Sequence, residues 1–425
     1  MNIIFTNTLY QLLAKLVSTI TTLFLTVVIT RFLGAKTWGD FSAVLAFIGF
    51  YYVLSEFGLN SIATKQFTEA SKITKKSFLN FFFLRGAFTV FLLLVGIIIL
   101  KLLKYPPYLE KAILFVMLQV FIYSLSSTFN SIYQSKHLYK YLFFSTFLYS
   151  LVNLITFILL VFVFKIYVLW VLFVPVLLAE ISRFTFNFLV SKKFLSSPSF
   201  SLDINLVKKY AFLAFPLGIA LVFNTLMTQI DRLMLSKMVD TLFLGYYSLA
   251  YKLFEVLLVL PTFFMNSMFP LLVQSFKNKN SLLYNLYFSK SVFLLFVSSF
   301  ILILFGTVLA PFLIPLIWGK EMLPAVSAFI ILIVGSPLFY ISSPISWLFV
   351  VENKTKVLTY LYLFAFLFNF LTNLYAIPRY NYLGATYTTL LTEALVLIVL
   401  EFYRRKYLKA SYTKFDLKSL KVWKR

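Results

Sequence analysis

Nine charged side chains lie inside stretches of the sequence that are otherwise apolar, and they are the residues most able to do chemistry. A charge in the middle of a membrane helix costs about 2.5–3.5 kcal/mol on insertion scales, so each one needs a partner or a task. Cations in such a setting suit an anionic ligand, and carboxylates suit a proton or a small cation. The nine are Lys15, Glu56, Arg85, Glu180, Asp231, Arg232, Lys252, Glu255 and Glu393.

Three of the cations, Lys15, Arg85 and Lys252, are predicted to line a cavity for an anionic substrate. Lys15 and Lys252 lie well inside their apolar stretches, and Arg85 lies several residues into its own. Arginine binds a phosphate through a bidentate fork, whereas lysine acts as a point charge on a flexible stem. The alternative is that the long side chains carry their charges out to the lipid headgroups.

The remaining charged residues predict either structural ion pairs or a site for a coupling cation. Glu255 lies three residues after Lys252, and Glu180 lies three residues before Arg183, spacings that place both partners on one helix face. Asp231 and Arg232 are adjacent, so each needs a separate partner on another helix. For six residues the sequence leaves two roles open, a structural charge or a site that couples transport to a proton or sodium ion. They are Glu56, Glu180, Asp231, Arg232, Glu255 and Glu393.

The residue content excludes several kinds of chemistry. The chain has no cysteine and one histidine, His137, which excludes thiolate chemistry and His-based metal clusters. It contains no phosphate-binding GxxxxGK[ST] loop and no HExxH motif. We therefore predict no metal, no cofactor apart from a coupling proton or sodium ion, and no enzymatic activity.

The elements that position these residues are membrane helices. Of the 425 residues, 61% are hydrophobic and only 12% are charged, whereas a soluble protein keeps about a quarter of its residues charged. About twelve continuous apolar stretches are long enough for a span of about 20 residues. Because the stretches do not alternate with period two, a transmembrane β-barrel is excluded. The sequence predicts an all-α membrane protein with about twelve transmembrane helices.

The net charge of +24 is unevenly distributed along the chain. Most lysines and arginines fall in alternate connections between the predicted helices and in the basic tail, residues 406–425, and the positive-inside rule places such segments in the cytoplasm. The predicted orientation has both termini inside, in the cytoplasmic membrane. The tail is predicted to contact anionic headgroups, and we predict no nucleic-acid partner.

The two halves of the chain repeat each other in the same sense. Parallel repeats with even numbers of helices are related by an axis along the membrane normal, with a cavity between them. We therefore predict two six-helix lobes, residues 1–195 and 210–405, joined by a cytoplasmic linker at 196–209. Such an arrangement is typical of alternating-access transporters. The matched pairs are Ser126 with Ser342, Asn153 with Asn369 and, after a small shift, Glu180 with Glu393.

Three groups of motifs, in order along almost the whole chain, carry a family resemblance. Each motif is weak alone, but the ordered set resembles polysaccharide exporters, the O-antigen-flippase-like (Wzx-type) members of the multidrug/oligosaccharidyl-lipid/polysaccharide superfamily. Peptidoglycan-precursor flippases of that superfamily usually have two more helices, which favours surface or exopolysaccharide export. The motifs are Ile29–Gly34, Trp38–Phe41 and Glu56–Leu59; then Phe215–Gly218, Asp231–Leu235 and Gly245–Lys252; then Asn369, Asn373, Ile377–Pro378 and Leu383–Ala385.

The resemblance implies a MATE-like fold and a flippase. Its implied substrate is a polyprenyl-pyrophosphate-linked oligosaccharide, and its implied partners are membrane lipids and other polysaccharide-assembly proteins, with the chain itself a monomer. One alternative is a proton- or sodium-coupled drug or metabolite antiporter of the same superfamily, using a carboxylate in the first lobe. A second is a membrane glycan polymerase or ligase, which would need a large extracytoplasmic loop that the sequence lacks.

Overall fold

Helices make up nearly all of the structure. The computed structural model describes residues 2–69, 73–195 and 202–412, and these contain no β-strand, which confirms the predicted all-α class. Part of the predicted linker, 196–201, and most of the basic tail, 413–425, lie outside the described residues. The helices are α1 (Asn2–Val28), α2 (Gly34–Leu54), α3 (Leu59–Glu69), α4 (Lys75–Leu103), α5 (Pro107–Ser135), α6 (Tyr139–Ile158), α7 (Val174–Ser191), α8 (Ile204–Met238), α9 (Thr241–Lys277), α10 (Ser281–Trp318), α11 (Ala325–Val334), α12 (Ser336–Val351) and α13 (Thr355–Tyr407).

The described helices are long enough to cross a membrane about twelve times. Eight helical stretches qualify by length and composition, and α11 with α12, bent by 45°, make a ninth. Two of the eight, Thr6–Glu69 with 64 residues and Thr355–Tyr407 with 53, are each long enough for two crossings of about 20 residues. Helix α8, with 35 residues, is long enough for one more. This agrees with the number of spans that the sequence predicts.

Helix α13 folds back on itself at Asn381. This residue has φ 52° and ψ −134°, values that interrupt the helix. The Thr388 hydroxyl then donates a hydrogen bond to the side-chain oxygen of Asn373, which lies at a similar distance before the break. A Cβ at Gly384 would collide with the carbonyl oxygen of Ala376. The two halves of α13 therefore form an antiparallel hairpin whose backbones touch where only glycine fits.

A tight turn between α2 and α3 positions the first part of the candidate site. Phe57 and Gly58 have φ values of 38° and 74°, in the left-handed region that glycine adopts most readily. The turn ends α2 and starts α3 at Leu59, so that Asn60 lies in the first turn of α3. The Glu56–Leu59 motif is thus a helix-ending turn, with the charged Glu56 at its start.

The chain divides into two compact units, Met1–Gln229 and Ile230–Arg425, with the boundary inside α8. In the first unit α5 is the central helix, packed against α2, α3, α4 and α7. In the second unit α9 has the same place, packed against α10, α11, α12 and α13. The lobe boundaries at residues 195 and 210 stay a prediction.

The start of α8 packs against the start of α4 within the first unit. The Lys76 ammonium lies 2.9 Å from the Asp203 carboxylate, and the Asp203 backbone N–H donates to the side-chain oxygen of Asn80 over 2.9 Å. The ring of Tyr210 stacks on that of Phe81, with centroids 3.7 Å apart. We call these interactions the α4–α8 contact, and they fix the chain where it leaves the linker.

Replacing Asp203 with Asn should lower the thermal stability of the protein slightly at neutral pH and have almost no effect in acid. The Lys76 ammonium and the Leu206 N–H hold the pKa of the Asp203 carboxyl below its ordinary value. The stabilisation is complete above the unfolded-state pKa of about 3.9 and is lost as pH falls through the lower folded-state pKa. Melting curves of both proteins in detergent, from neutral to acidic pH, measure the difference.

Glu69→Gln is the matched control, because Glu69 lies 4.0 Å from Lys65 in an exposed pair. Exposed pairs of this kind contribute little. Identical melting curves for wild type and Asp203→Asn at every pH would show that the ion pair in the α4–α8 contact is not stabilising.

Candidate functional site

Arg85, on α4, is the most deeply buried of the predicted cavity cations, with 1% of its surface exposed. Its Nη1 donates to the side-chain oxygen of Asn60 over 2.6 Å, and its Nε donates to the Ser124 hydroxyl over 3.3 Å. Its Nη2 has no hydrogen-bond partner among the described residues. A buried donor without a partner costs about 1–3 kcal/mol, and more for a charged group. The guanidinium is thus held in place with one nitrogen left to bind an anion or a water.

A buried ion pair lies in the same unit, on α7. Glu180 has no exposed surface, and the Arg183 Nε donates to its Oε1 over 2.9 Å while Nη2 donates to Oε2. The Gln119 amide also donates to Oε2, over 3.3 Å. This confirms the pairing that the three-residue spacing predicts. The carboxylate is fully engaged by one cation and one amide.

Tyrosines surround the arginine of this pair and form the tyrosine–arginine cluster, defined as Tyr52, Tyr123, Tyr149 and Arg183. The guanidinium lies 4.6 Å from the ring centre of Tyr149 and 5.3 Å from that of Tyr123, distances typical of cation–π contacts. Tyr52 meets Tyr123 edge to face at 4.9 Å. All three rings are half-buried. Among 27 tyrosines, the sequence offers no signal that singles out these three.

The structure brings some predicted site residues of the first unit together and leaves one apart. Tyr123 lies within electrostatic range of Arg85, Arg183 and Glu56, so these groups share one polar region. Glu56 is half-buried and forms no ion pair with Arg85 within the described residues. Lys15 is exposed on α1, and no hydrogen bond or ion pair of its side chain occurs in the described part of the chain.

Asp231, on α8, is a buried carboxylate satisfied by neutral donors. It is 6% exposed, and its Oδ2 accepts from the Tyr247 and Thr389 hydroxyls, each over 2.9 Å. Its Oδ1 accepts from the Asn373 amide over 2.5 Å. No ion-pair partner of Asp231 occurs among the described residues of the second unit. We call these four residues the Asp231 cluster, and its oxygen-rich character suits a proton or a small cation.

The neighbouring residue, Arg232, pairs on α9 as the helical geometry predicts. Its Nη2 lies 2.8 Å from Glu255 Oε1, and its guanidinium lies 4.9 Å from the ring centre of Tyr251. Lys252 Nζ lies 3.9 Å from the other oxygen of Glu255, which confirms the expected contact between Lys252 and Glu255. The Glu255 carboxylate thus lies near both Arg232 and Lys252, and the three side chains together carry a net charge of +1.

Glu393 shows that matching positions in the two halves have different partners. It is 8% exposed and accepts a hydrogen bond from the Ser342 hydroxyl on α12. Its counterpart in the sequence repeat, Glu180, pairs with an arginine instead. The repeat therefore preserves a buried carboxylate without preserving its compensating cation.

Long apolar helices with charged clusters buried among them define the class, a multi-span helical membrane protein. The chain belongs to the polysaccharide biosynthesis protein family, which it matches over residues 4–276. A second family, MatE, matches residues 216–375. No curated protein sequence matches the chain.

Solved structures with a similar fold include both flippases and drug transporters. The lipid II flippase MurJ, in an inward closed conformation, is 17% identical with a TM-score of 0.73, over 93% of this chain and 87% of that one. An inward-facing multidrug MATE transporter of the MOP superfamily is 12% identical with a TM-score of 0.74, over 94% of both chains. The MATE multidrug transporter DinF-BH is 13% identical with a TM-score of 0.63, over 96% of this chain and 95% of that one. These similarities confirm the predicted MATE-like fold.

Replacing Glu180 with Ala should destabilise the protein strongly, because Arg183 would keep its charge without a partner. Breaking a buried pair by removing one member typically costs about 3–5 kcal/mol, whereas replacing both by apolar residues costs much less. We therefore expect the double variant Glu180→Leu/Arg183→Met to melt closer to wild type than the single variant does. Melting temperatures in detergent measure both.

The control is Glu110→Ala, which breaks the more exposed pair between Glu110 and Lys101. A small effect is expected there, since exposed pairs contribute about 0–1 kcal/mol. A double variant less stable than Glu180→Ala would contradict the interpretation that the uncompensated charge causes the loss.

Proposed function

We propose that this protein flips a polyprenyl-pyrophosphate-linked oligosaccharide, an O-antigen or exopolysaccharide repeat unit, across the cytoplasmic membrane by alternating access. The observation that carries the proposal is the match to the polysaccharide biosynthesis family over residues 4–276. A protein of similar fold is a lipid II flippase. The proposed orientation has both termini in the cytoplasm, and the proposed working form is a monomer beside other polysaccharide-assembly proteins.

The first unit contains groups that suit both parts of such a substrate. The pyrophosphate requires cations that are not already neutralised, and Arg85 has a free Nη2 and no ion-pair partner in the described residues. The glycan requires hydroxyls and aromatic faces, which the half-buried tyrosine–arginine cluster offers. Burial and the open nitrogen therefore support Arg85 as the principal phosphate ligand.

The other two cations of the predicted cavity keep subsidiary roles in the proposal. Lys252 is 35% exposed at its side chain and shares Glu255 with Arg232, which leaves this group of charges positive. Lys15 is exposed on α1 and is free to reach a passing phosphate with its flexible stem. Both are proposed to guide the pyrophosphate.

The decisive experiment is flipping of a fluorescent polyprenyl-pyrophosphate glycan in proteoliposomes, with a membrane-impermeant quencher reporting the leaflet. Wild type should move the label, and Arg85→Gln should slow it by roughly tenfold to a hundredfold, the value of one charge-assisted hydrogen bond. Lys136→Gln is the control, because it removes one exposed cation outside the site.

Folding must be checked beside transport, since Arg85 is buried. Equal melting temperatures for Arg85→Gln and wild type, with slowed flipping, would assign the residue to the substrate path. A folded Arg85→Gln protein that flips at the wild-type rate would rule out that role. Transport of a small cationic dye by wild type, without movement of the glycolipid, would favour the antiporter.

The antiporter is the second candidate because of the MatE match and the Asp231 cluster. The antiporter alternative places the coupling cation at a carboxylate of the first lobe. Of the two candidates there, Glu180 is paired with Arg183 and Glu56 is half-buried. Asp231, by contrast, has no ion-pair partner among the described residues and is contacted by two hydroxyls and one amide. We propose that a proton or sodium ion binds at Asp231 in either function.

Asp231→Asn should abolish the dependence of transport on a proton or sodium gradient. The amide keeps the size and most hydrogen bonds of the carboxylate but carries no charge that a cation could neutralise. Flipping rates under imposed gradients of each ion, in wild type and variant, measure the coupling. Glu110→Gln is the control, and equal stimulation of wild type and Asp231→Asn would contradict the proposal.

A further inference from the structure

A small cavity lies at one end of the second unit, and its lining residues are distant in sequence from the Asp231 cluster. It is formed where α9 ends, where α10 begins and where the chain leaves α13. We propose that this cavity is a phosphate-binding pocket, which takes either the headgroup phosphate of an anionic lipid or a free phosphate from solution. The proposal does not depend on the flippase function.

The position of the cavity puts it at a membrane surface. Helices α9, α10 and α13 are all long enough to span the bilayer, and only residues 278–280 connect α9 to α10. Helices α9 and α10 have 37 and 38 residues, about 56 Å at 1.5 Å per residue, whereas the hydrocarbon core is about 30 Å thick. A cavity at their connection therefore lies outside the core, at or beyond the lipid headgroups. The basic character of this end is typical of the cytoplasmic face.

The chemistry of the lining suits a phosphate. The ammonium groups belong to Lys279 and Lys409, and the hydroxyl groups to Ser275, Ser281 and Tyr284. Neither ammonium forms an ion pair within the described residues, and Lys409 Nζ lies 5.4 Å from the ring centre of Phe276. Lysine binds phosphate as a point charge. Two ammonium groups that line one cavity repel each other, and an anion bound between them offsets that repulsion.

The size of the cavity is that of a headgroup. Its volume is about 250 Å³, below the roughly 300–1,000 Å³ of pockets that enclose drug-sized ligands. The beginning of α10, capped by the side chain of Asn280 on the Leu283 N–H, adds the partial positive charge of a helix N-terminus. The helix end alone would not define a site, but here it adds to two lysines that line one partly open cavity.

A buried carboxylate fixes the geometry of the pocket. Glu352, with 2% of its side chain exposed, accepts from the Lys409 backbone N–H over 2.9 Å and from the Tyr284 hydroxyl over 3.2 Å. It thereby ties the segment after α13 to the wall formed by α10. Its negative charge is opposed by Lys354, whose Nζ lies 3.7 Å away. The positive charges of Lys279 and Lys409 therefore remain available to a ligand.

The test is binding of one lipid or one phosphate to the purified full-length chain. Native mass spectrometry in detergent compares phosphatidylglycerol with phosphatidylcholine, and thermal shift with inorganic phosphate tests the free ion. Lys279→Gln/Lys409→Gln should weaken phosphatidylglycerol binding about fivefold for each lysine removed. Lys277→Gln/Lys406→Gln is the matched control, because it removes the same charge from exposed lysines at the same end but outside the lining.

The two sources of phosphate give different results. Retention of phosphatidylglycerol that inorganic phosphate does not displace identifies a lipid site, and stabilisation by inorganic phosphate without lipid selectivity identifies a soluble ligand. Either result, lost in the pocket variant and kept in the control, supports the pocket. Wild-type binding of both probes by the pocket variant, or equal losses in the two double variants, would overturn it.

Discussion

Most of this structure follows from the cost of placing charge inside helices long and apolar enough to span a membrane. An isolated charge at the centre of such a helix costs about 2.5–3.5 kcal/mol even on insertion scales. Helix α7 meets that cost with an ion pair, Glu180 with Arg183, and one amide. Helix α8 meets it differently, by surrounding Asp231 with hydroxyl and amide donors from α9 and α13.

The central helix of each unit supplies one partner to each of four charged side chains. On α5, Gln119 bonds to Glu180 of α7, and Ser124 bonds to Arg85 of α4. On α9, Tyr247 and Glu255 lie eight residues apart, on the same face, and meet Asp231 and Arg232 of α8 respectively. A polar stripe on a central helix therefore determines which charges on the outer helices can be tolerated.

The sequence predicted the parts of this arrangement that are local and could not predict those that depend on packing. Hydropathy indicates the class and the number of spans, and a three-residue spacing indicates the Glu180–Arg183 pair. The partner of Asp231, Thr389, lies 158 residues away, and only the hairpin at Asn381 brings it close. The position of a charged residue within an apolar stretch also does not predict whether its side chain is buried. Lys15 is exposed, whereas Arg85 is covered by α3 and α5.

The difference between the two buried carboxylates bears on which of them can change its charge during a transport cycle. Neutralising Glu180 would leave the Arg183 guanidinium without its carboxylate, which is the costly way to break a buried pair. Neutralising Asp231 leaves only hydroxyls and an amide behind. Hydroxyl groups can turn from donor to acceptor, so Tyr247 and Thr389 can bond to either charge state of the carboxyl. A permanent ion pair suits the framework around an arginine that binds the substrate. A carboxylate with adaptable neutral partners suits a group that binds and releases a proton or a small cation. This difference supports the proposed division of roles, with Arg85 of the first unit as a substrate ligand and Asp231 of the second as the site of cation coupling.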